Sequence, residues 1–482
     1  MKPLPEPRFW MVLLLWFVSA TALADTTVTT QTLRLTFSEQ GNLQSAIACF
    51  PACSGDAVRL QQFADDGVIT FETASGGQWS VSDHRAAKYQ ELAFVGPGGA
   101  RLTWRIPVQG YRIELDQAGV DSVSVRSGQS FRPREAAGFG NWLEQSRYVL
   151  LQETGVRQIG LDEDVDQDED EGEVGGAAVV AEVDGWLGYR NRYWALMAFP
   201  PEPVGAQLAS ADARQDAEIT VGSVPAGTWS FYLGPIEPRV LKSADSELPR
   251  LMYAGLWFWL RWICLGLFHL LAGIKLLIPS WGIAIMLMSL TVNILMLPLS
   301  RIADRFQQQV NETEARLAPE LHRIKKNFKG EEQAAKILAL YKTERVHPLY
   351  SLKSLMGVAV VIPVFIGAFD MLAENIHLLN TGFLWIADLS HPDDLFHLPF
   401  RLPFFGSEFN LLPFLMTGLS FIASMLHKPL ALDAALRGKQ VRNMLLLAVA
   451  FFVLFYTFPA GMVLYWTTNN LISVIKSLWA RR

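Results

Sequence analysis

Three cysteines in 482 residues, Cys49, Cys53 and Cys264, are too few for a disulfide-built scaffold or for a zinc site made of two cysteine pairs. Cys49 and Cys53 flank Phe50-Pro51-Ala52, so an oxidising compartment offers them a local bridge, and two unlinked thiols are the alternative. Groups that do chemistry are also sparse where the chain is most apolar. The second-half histidines, at 269, 322, 347, 377, 391, 397 and 427, are dispersed with no partner at metal-ligand spacing. Asp370 and Glu374 stand one helical turn apart and offer an acid and a base, but a place at a water boundary accounts for them more simply. No catalytic residue, cofactor or metal is expected.

What the chain does have is a lopsided charge. Residues 25–250 carry 32 acidic against 18 basic groups, a net of −14, whereas 251–482 carry 14 against 21, a net of +7. Halves of opposite sign face different surroundings. The second half holds nearly all the long uncharged runs, which enter hydrocarbon without the cost of desolvating a charge, so it reads as the membrane half. At the start, Lys2 and Arg8 precede the apolar stretch 9–20, and Ala22-Leu23-Ala24 stands before Asp25. Residues 1–24 therefore read as a signal sequence, cleaved at the small residues or kept as a first membrane span.

Within 25–250, alternating runs such as 32–37, 101–107 and 112–115 are separated by turn signals such as Gly96-Pro97-Gly98-Gly99. That pattern predicts a β-sandwich in the periplasm. The stretch 162–173 holds nine carboxylates and reads as a solvated loop, since its own repulsion opposes compaction. Its alternating aspartates suggest calcium, but no register supplies both the glycine and the closing glutamate of an EF-hand loop.

Beyond residue 250 the spans follow from charge. Residues 301–350 carry ten Lys and Arg and are helical in composition, so the positive-inside rule puts them in the cytoplasm. One net crossing must then precede Arg301. Segment 253–278 contains Arg261, His269 and Lys275, while 281–299 contains no charge. The second is expected to cross and the first to lie along the periplasmic interface. Further spans fall at 355–376, 411–426, 443–458 and 460–476, with the basic loop 427–442 and the terminal Arg481-Arg482 on the cytoplasmic side. The uncharged run 443–475 is 33 residues, broken at Pro459 and Gly461. That leaves about 16 residues each way, roughly 24 Å against a bilayer core of roughly 30 Å, so the lipid must thin or flanking side chains must snorkel.

Polarity inside two spans stands out. Ser289, Thr291 and Asn293 alternate in 281–299, and Thr467, Thr468, Asn469 and Asn470 form a block midway along the last span. Such groups face one another or a wet cavity rather than lipid, and ordinary interhelical hydrogen bonding is the alternative to a groove. Residues 301–350 divide near Lys329-Gly330 into a helical hairpin whose first arm has a thin apolar stripe of Ala303, Phe306, Val310, Leu317, Leu321 and Ile324. A loosely packed cytoplasmic hairpin follows.

Four ordered motifs resemble the YidC/Oxa/Alb insertase family. Residues 340–349, LYKTERVHPL, resemble the LYKxxxVNPL signature closing the family's cytoplasmic hairpin, and Ile362-Pro363-Val364-Phe365 resembles the span after it. Residues 384–389, LWIADL, resemble its LWxxDLS loop, and 458–466, FPAGMVLYW, its FPxGLxLYW turn and final span. Gly185-Trp186-Leu187, Tyr193 and residues 232–235, YLGP, look like the end of the family's periplasmic super-β-sandwich. The resemblance implies a bacterial inner-membrane, multi-pass protein with a groove, open to cytoplasm and lipid, that binds hydrophobic segments and releases them sideways. It also implies that a first span can be kept at the N-terminus. Two positions depart. The family's groove arginine falls on Asn293, five residues before Pro298-Leu299, and Val361 stands where a glutamine often precedes Pro363. An asparagine hydrogen-bonds but does not attract an acidic tail, which points to a specialised paralogue.

The resulting architecture is a periplasmic β-sandwich, 25–250, on an α-helical polytopic membrane domain, 251–482, with the cytoplasmic hairpin 301–350. The expected groove residues are Ser289, Thr291, Asn293, Tyr465, Trp466, Thr467 and Thr468. Expected partners are nascent membrane proteins, the lipid bilayer and a translocon or ribosome, without direct nucleic-acid binding. A non-inserting assembly or scaffold partner is the alternative. A small-molecule transporter would need inverted repeats and broken mid-membrane helices, which the sequence lacks. A topology reporter fused after Ser280 is expected on the periplasmic side, and a cytoplasmic signal there overturns the single crossing.

Overall fold

The computed structural model describes residues 25–479 apart from 56–57, 65–66, 74–76, 129–130, 132–135, 161–172, 175–176, 210–216, 223, 348, 351 and 427–433. The expected signal segment, and the acidic stretch except Glu173, lie outside the described residues.

Residues 26–235 fold into two antiparallel sheets, one of ten strands and one of nine among the described residues. The alternation read from sequence sets their faces. In Arg101–Pro107, Leu102, Trp104 and Ile106 are buried and Arg101 and Arg105 exposed; in Arg112–Ala118, Ile113, Leu115 and Gln117 point inward. Trp104 stands at the centre of the core. Its ring lies 5.3 Å from Phe37 and 6.0 Å from Phe71, both on the ten-stranded sheet, and 5.8 Å from Phe231 on its own. Trp104 Nε1 donates to the Gly41 carbonyl at 2.9 Å, so the one polar atom of the ring is satisfied. This much of the expected sandwich is present. Cys49 and Cys53 are joined as a disulfide, and Tyr111 Oη donates to the Cys49 carbonyl at 2.6 Å.

A short helix, α1 (Pro238–Ala244), leads to eight more: α2 (Phe258–Leu277), α3 (Trp281–Leu295), α4 (Leu297–Asn327), α5 (Gly330–Thr343), α6 (Leu352–Ala373), α7 (Leu411–Leu426), α8 (Ala434–Phe455) and α9 (Ala460–Trp479). Of the described helices, α2 alone is long and apolar enough to cross a membrane unbroken; α3 with Leu297–Ala303 passes as a pair bent by 52°. Pro298, in the first turn of α4, sits at that bend, where its missing N–H is not needed. Helices α4 and α5 are two arms joined at Phe328-Lys329. Val310, Leu317 and Ile324 are the buried apolar positions of α4, seven residues apart, so the seam is narrower than the six-residue stripe in the sequence. Arg316 pairs with Glu344 at 3.7 Å across the two arms.

Three arginines dock the sandwich onto the bundle. Arg59 donates through Nε to the Leu379 carbonyl at 2.8 Å and through Nη2 to the His377 carbonyl at 2.9 Å and Thr381 Oγ1 at 3.0 Å. Arg190 donates to the Leu251 carbonyl at 2.7 Å and pairs with Glu374 at 3.0 Å. Arg192 is wholly buried, donating to the carbonyls of Ala373 at 2.6 Å and Ser390 at 3.0 Å and pairing with Glu144 at 2.5 Å. A planar fork of five donors suits carbonyls that end a helix and have no partner of their own. Removing Arg192 leaves the Glu144 carboxylate and two carbonyls uncompensated. Arg192→Met is expected to destabilise the protein by roughly 3–5 kcal/mol, with partial recovery in Arg192→Met/Glu144→Gln, read as the unfolding midpoint of the purified protein in detergent.

Candidate functional site

Helices α3 and α9 run side by side in the same direction, and their polar residues meet in rungs one turn apart. Ser289, fully buried, donates from Oγ to the Tyr465 carbonyl at 3.2 Å. Four residues on, Asn293 Nδ2 donates to the Ser289 carbonyl at 3.0 Å and to Asn469 Oδ1 at 2.6 Å. Asn470, the next residue on α9, turns the other way and donates to the Met416 carbonyl at 3.1 Å and Ser420 Oγ at 2.6 Å on α7. Neighbours on a helix point roughly 100° apart, so one Asn-Asn dipeptide ties α9 to two partners.

The threonines behave differently. Thr291, Thr467 and Thr468 each donate to the carbonyl four residues back in their own helix, Leu287, Val463 and Leu464, at 2.7–2.8 Å. A hydroxyl satisfied in this way asks nothing of a neighbouring helix. Trp466 belongs to an aromatic cluster with Phe365 at 4.8 Å, Phe451 at 5.7 Å and Phe455 at 6.0 Å, and Tyr465 is buried. Of the seven expected groove residues, the structure joins Ser289, Asn293 and the Tyr465 backbone by hydrogen bonds. Thr291, Thr467 and Thr468 are satisfied within their own helices, and Trp466 packs in the aromatic cluster.

Lys476 is the residue that sequence reasoning missed. Its Nζ donates to Asn293 Oδ1 at 3.0 Å. Position 476 lies seven residues after Asn469, two turns along the same face, and a helical side chain leans toward the N-terminus, so the lysine stem reaches back to the amide pair. No carboxylate pairs with it among the described residues. A lysine from α9 therefore stands beside the asparagine that occupies the position of the family's groove arginine.

The N-terminal ends of α7 and α9 are held by the loop carrying the LWIADL motif. Ala460 and Gly461 donate their free helix-end N–H groups to the carbonyls of His391 at 2.7 Å and Leu389 at 2.8 Å. Asp393 Oδ2 accepts from the Leu411 and Leu412 amides at 2.8 and 2.9 Å and from Trp385 Nε1 at 3.1 Å. Burial works to raise the Asp388 carboxyl, but hydrogen bonds from the His391 ring and the Ser390 amide outweigh it and hold the group below its ordinary value. One histidine gains partners in the fold: Asp394, His397 and Glu408 offer ligand atoms within 4.8 Å of one another. His397 Nδ1 is already engaged by Asp394 at 3.2 Å, as in an ordinary surface ion pair. A cavity of about 270 Å³ beside this loop is lined by Glu144, Arg192, Ser390, His391, Arg401 and Glu408, among others.

An antiparallel β-sandwich seated on an apolar helical bundle, with a seam of amides and a lysine between two parallel helices, defines a two-part membrane protein with a folded head. Residues 273–482 match the family model of the 60Kd inner membrane protein, and the four motifs that resemble the YidC/Oxa/Alb family all fall within that part of the chain. Proteins described as membrane protein insertase YidC are similar: 30% identical over 310 residues in Janthinobacterium sp. (strain Marseille), covering 62% of this chain and 52% of that protein. In Methylobacillus flagellatus the figures are 30% over 313 residues, covering 62% and 51%. In Marinomonas sp. (strain MWYL1) they are 32% over 307 residues, covering 61% and 50%. The matches thus span about half the length of these relatives. A solved structure described as an active YidC insertase with its first transmembrane domain resolved aligns at TM-score 0.36 and 15% identity, covering 94% of this chain and 92% of that one.

The seam makes a measurable claim about coupling. Asn293→Ala leaves the Asn469 amide oxygen without its short donor, and Asn469→Ala does the reverse. A double-mutant cycle on unfolding in detergent is expected to give a coupling of about 0.6–1.7 kcal/mol, and additive losses would mean that the pair does not hold α3 to α9.

Proposed function

We propose that this protein is a membrane protein insertase or membrane chaperone, in which the α3/α9 seam receives a hydrophobic client segment and releases it into the bilayer. The observation that carries the reading is the Asn293–Asn469–Lys476 cluster between helices whose other faces are apolar and exposed, with Ile294 and Leu295 among them. A client backbone entering such a seam can exchange hydrogen bonds with amides at little cost, whereas bare hydrocarbon leaves each of its polar groups unsatisfied. The names of the relatives favour the same activity. Helix α7 is 16 residues long, roughly 24 Å, and a span of that length favours a locally thinned bilayer.

In this reading the chain is a multi-pass inner-membrane protein with the sandwich in the periplasm and the α4–α5 hairpin in the cytoplasm. Clients are nascent membrane proteins, and the basic hairpin is the surface for a ribosome or a translocon. The groove comprises Ser289, Asn293, Tyr465, Asn469 and Lys476, with Thr291, Trp466, Thr467 and Thr468 forming its walls. The lysine supplies the charge that Asn293 lacks, so acidic client tails remain favoured. A second reading, a non-inserting assembly partner, draws on one observation: the Asn293 amide is already engaged at both ends, by Asn469 and by Lys476.

Expression in cells depleted of their resident insertase separates the two. An insertase restores growth and client insertion, and Lys476→Gln then lowers the ratio of acidic-tailed to neutral-tailed client inserted by about tenfold. Absence of rescue by a stably expressed protein favours the assembly partner, and an unchanged ratio removes the lysine from client recognition.

A further inference from the structure

The segment between α6 and α7 forms a β-hairpin, Phe396–Leu402 paired with Gly406–Phe409, that was not evident in the sequence. Its first strand exposes Phe396, Phe400 and Leu402, and its register against Gly406–Phe409 shifts between His397 and Leu402, so that beyond the irregularity Phe400 and Leu402 flank Arg401. The apolar face is open, with Phe396 at 50% and Phe400 at 56% of full exposure. The polar face is dressed for water, with His397 opposite Glu408 and Asp394 beside them, and Arg401 lining the cavity toward the sandwich.

The open face is not isolated. Phe396 stacks on Phe409 at 4.7 Å, Phe409 on Phe414 in the first turn of α7 at 5.3 Å, and Phe414 packs against Phe452 of α8 at 4.8 Å. Phe414, Leu415, Phe421, Ile422 and Met425 continue as exposed apolar residues down α7. The hairpin therefore extends, without a polar break, the apolar surface of a helix in the part of the chain that matches the inner membrane protein model.

From this we infer that the hairpin is a lipid anchor: its Phe396/Phe400 face lies in the outer leaflet at the boundary of headgroups and acyl chains, while its His397/Arg401 face stays in water. Amphipathic elements of this composition enter a bilayer by roughly 5–10 Å. The anchor adds apolar height at the outer end of α7, whose 16 residues fall short of a full bilayer core. Asp393, which caps α7 at Leu411 and Leu412, couples the two rigidly. The inference rests on the proposed topology, with the sandwich in the periplasm, but makes no use of a client, so its test is independent of insertion activity.

Site-directed spin labelling tests it on the full chain in nanodiscs of phosphatidylcholine and phosphatidylglycerol. Cys264→Ser removes the free thiol, and a nitroxide is attached at Phe400→Cys, at Leu402→Cys on the same face, and at Arg401→Cys on the other. The expected result is a several-fold higher ratio of oxygen to nickel-chelate accessibility at 400 and 402 than at 401. Equal ratios on the two faces overturn the proposal, because the hairpin is then in water. Shielding of 400 and 402 from both reagents also overturns it, because protein, this chain's own or a second copy, then covers the face.

Discussion

The docking of three arginines on one run of backbone is the constraint on which the rest of the arrangement depends. Arg59, Arg190 and Arg192 come from the sandwich, and the atoms they bind lie mainly between Ala373 and Ser390, where α6 ends and the loop to α7 begins. That loop in turn satisfies the free N–H groups at the starts of α7 and α9. The sandwich therefore sets the N-terminal ends of α7 and α9, although among the described residues none of the sandwich hydrogen-bonds to Ser289, Asn293, Asn469 or Lys476. Arg192 is the tightest link because it is buried and paired, with Nε on the Ala373 carbonyl and Nη1 on Glu144 and the Ser390 carbonyl, while Nη2 has no hydrogen-bond partner among the described residues.

The seam shows how polar groups are apportioned in an apolar bundle. Threonines return their hydroxyls to their own helices, which removes the need for a partner, while asparagines reach across because an amide has more donors and acceptors than one turn can satisfy. Asn469 and Asn470 divide the task between α3 and α7. The lysine at 476 completes the set, and its stem can lie along apolar surface while its head meets an amide. The amide is thus directional: Asn293 donates through Nδ2 to the Ser289 carbonyl and Asn469 Oδ1, and accepts through Oδ1 from the Lys476 ammonium.

Much of this was readable along the chain. The alternation in 101–107 and 112–115 placed the core face of two strands, the break at Lys329-Gly330 placed the boundary between α4 and α5, and the run 411–426 matches α7 to the residue. The β-hairpin at 396–409 was not readable, because its prolines and its exposed phenylalanines gave no clean strand signal between two helices. Nor was the company of His397, since Glu408 lies eleven residues away and only strand pairing brings it opposite.

The candidate site divides in the same way. Residue type and spacing by themselves determined that Ser289, Asn293 and the 467–470 block are polar groups within apolar helices and must find partners, because hydrocarbon supplies none. Which partner each one takes was decided by the rotation and direction of α3, α7 and α9 against one another. Those angles turn Asn469 toward α3 and Asn470 toward α7, and they carry Lys476, 183 residues from Asn293 in the chain, to its amide oxygen. A sequence records periodicity within a helix, but the relative rotation of two helices comes from packing along their whole length, so the charge at the seam exists only in the folded bundle.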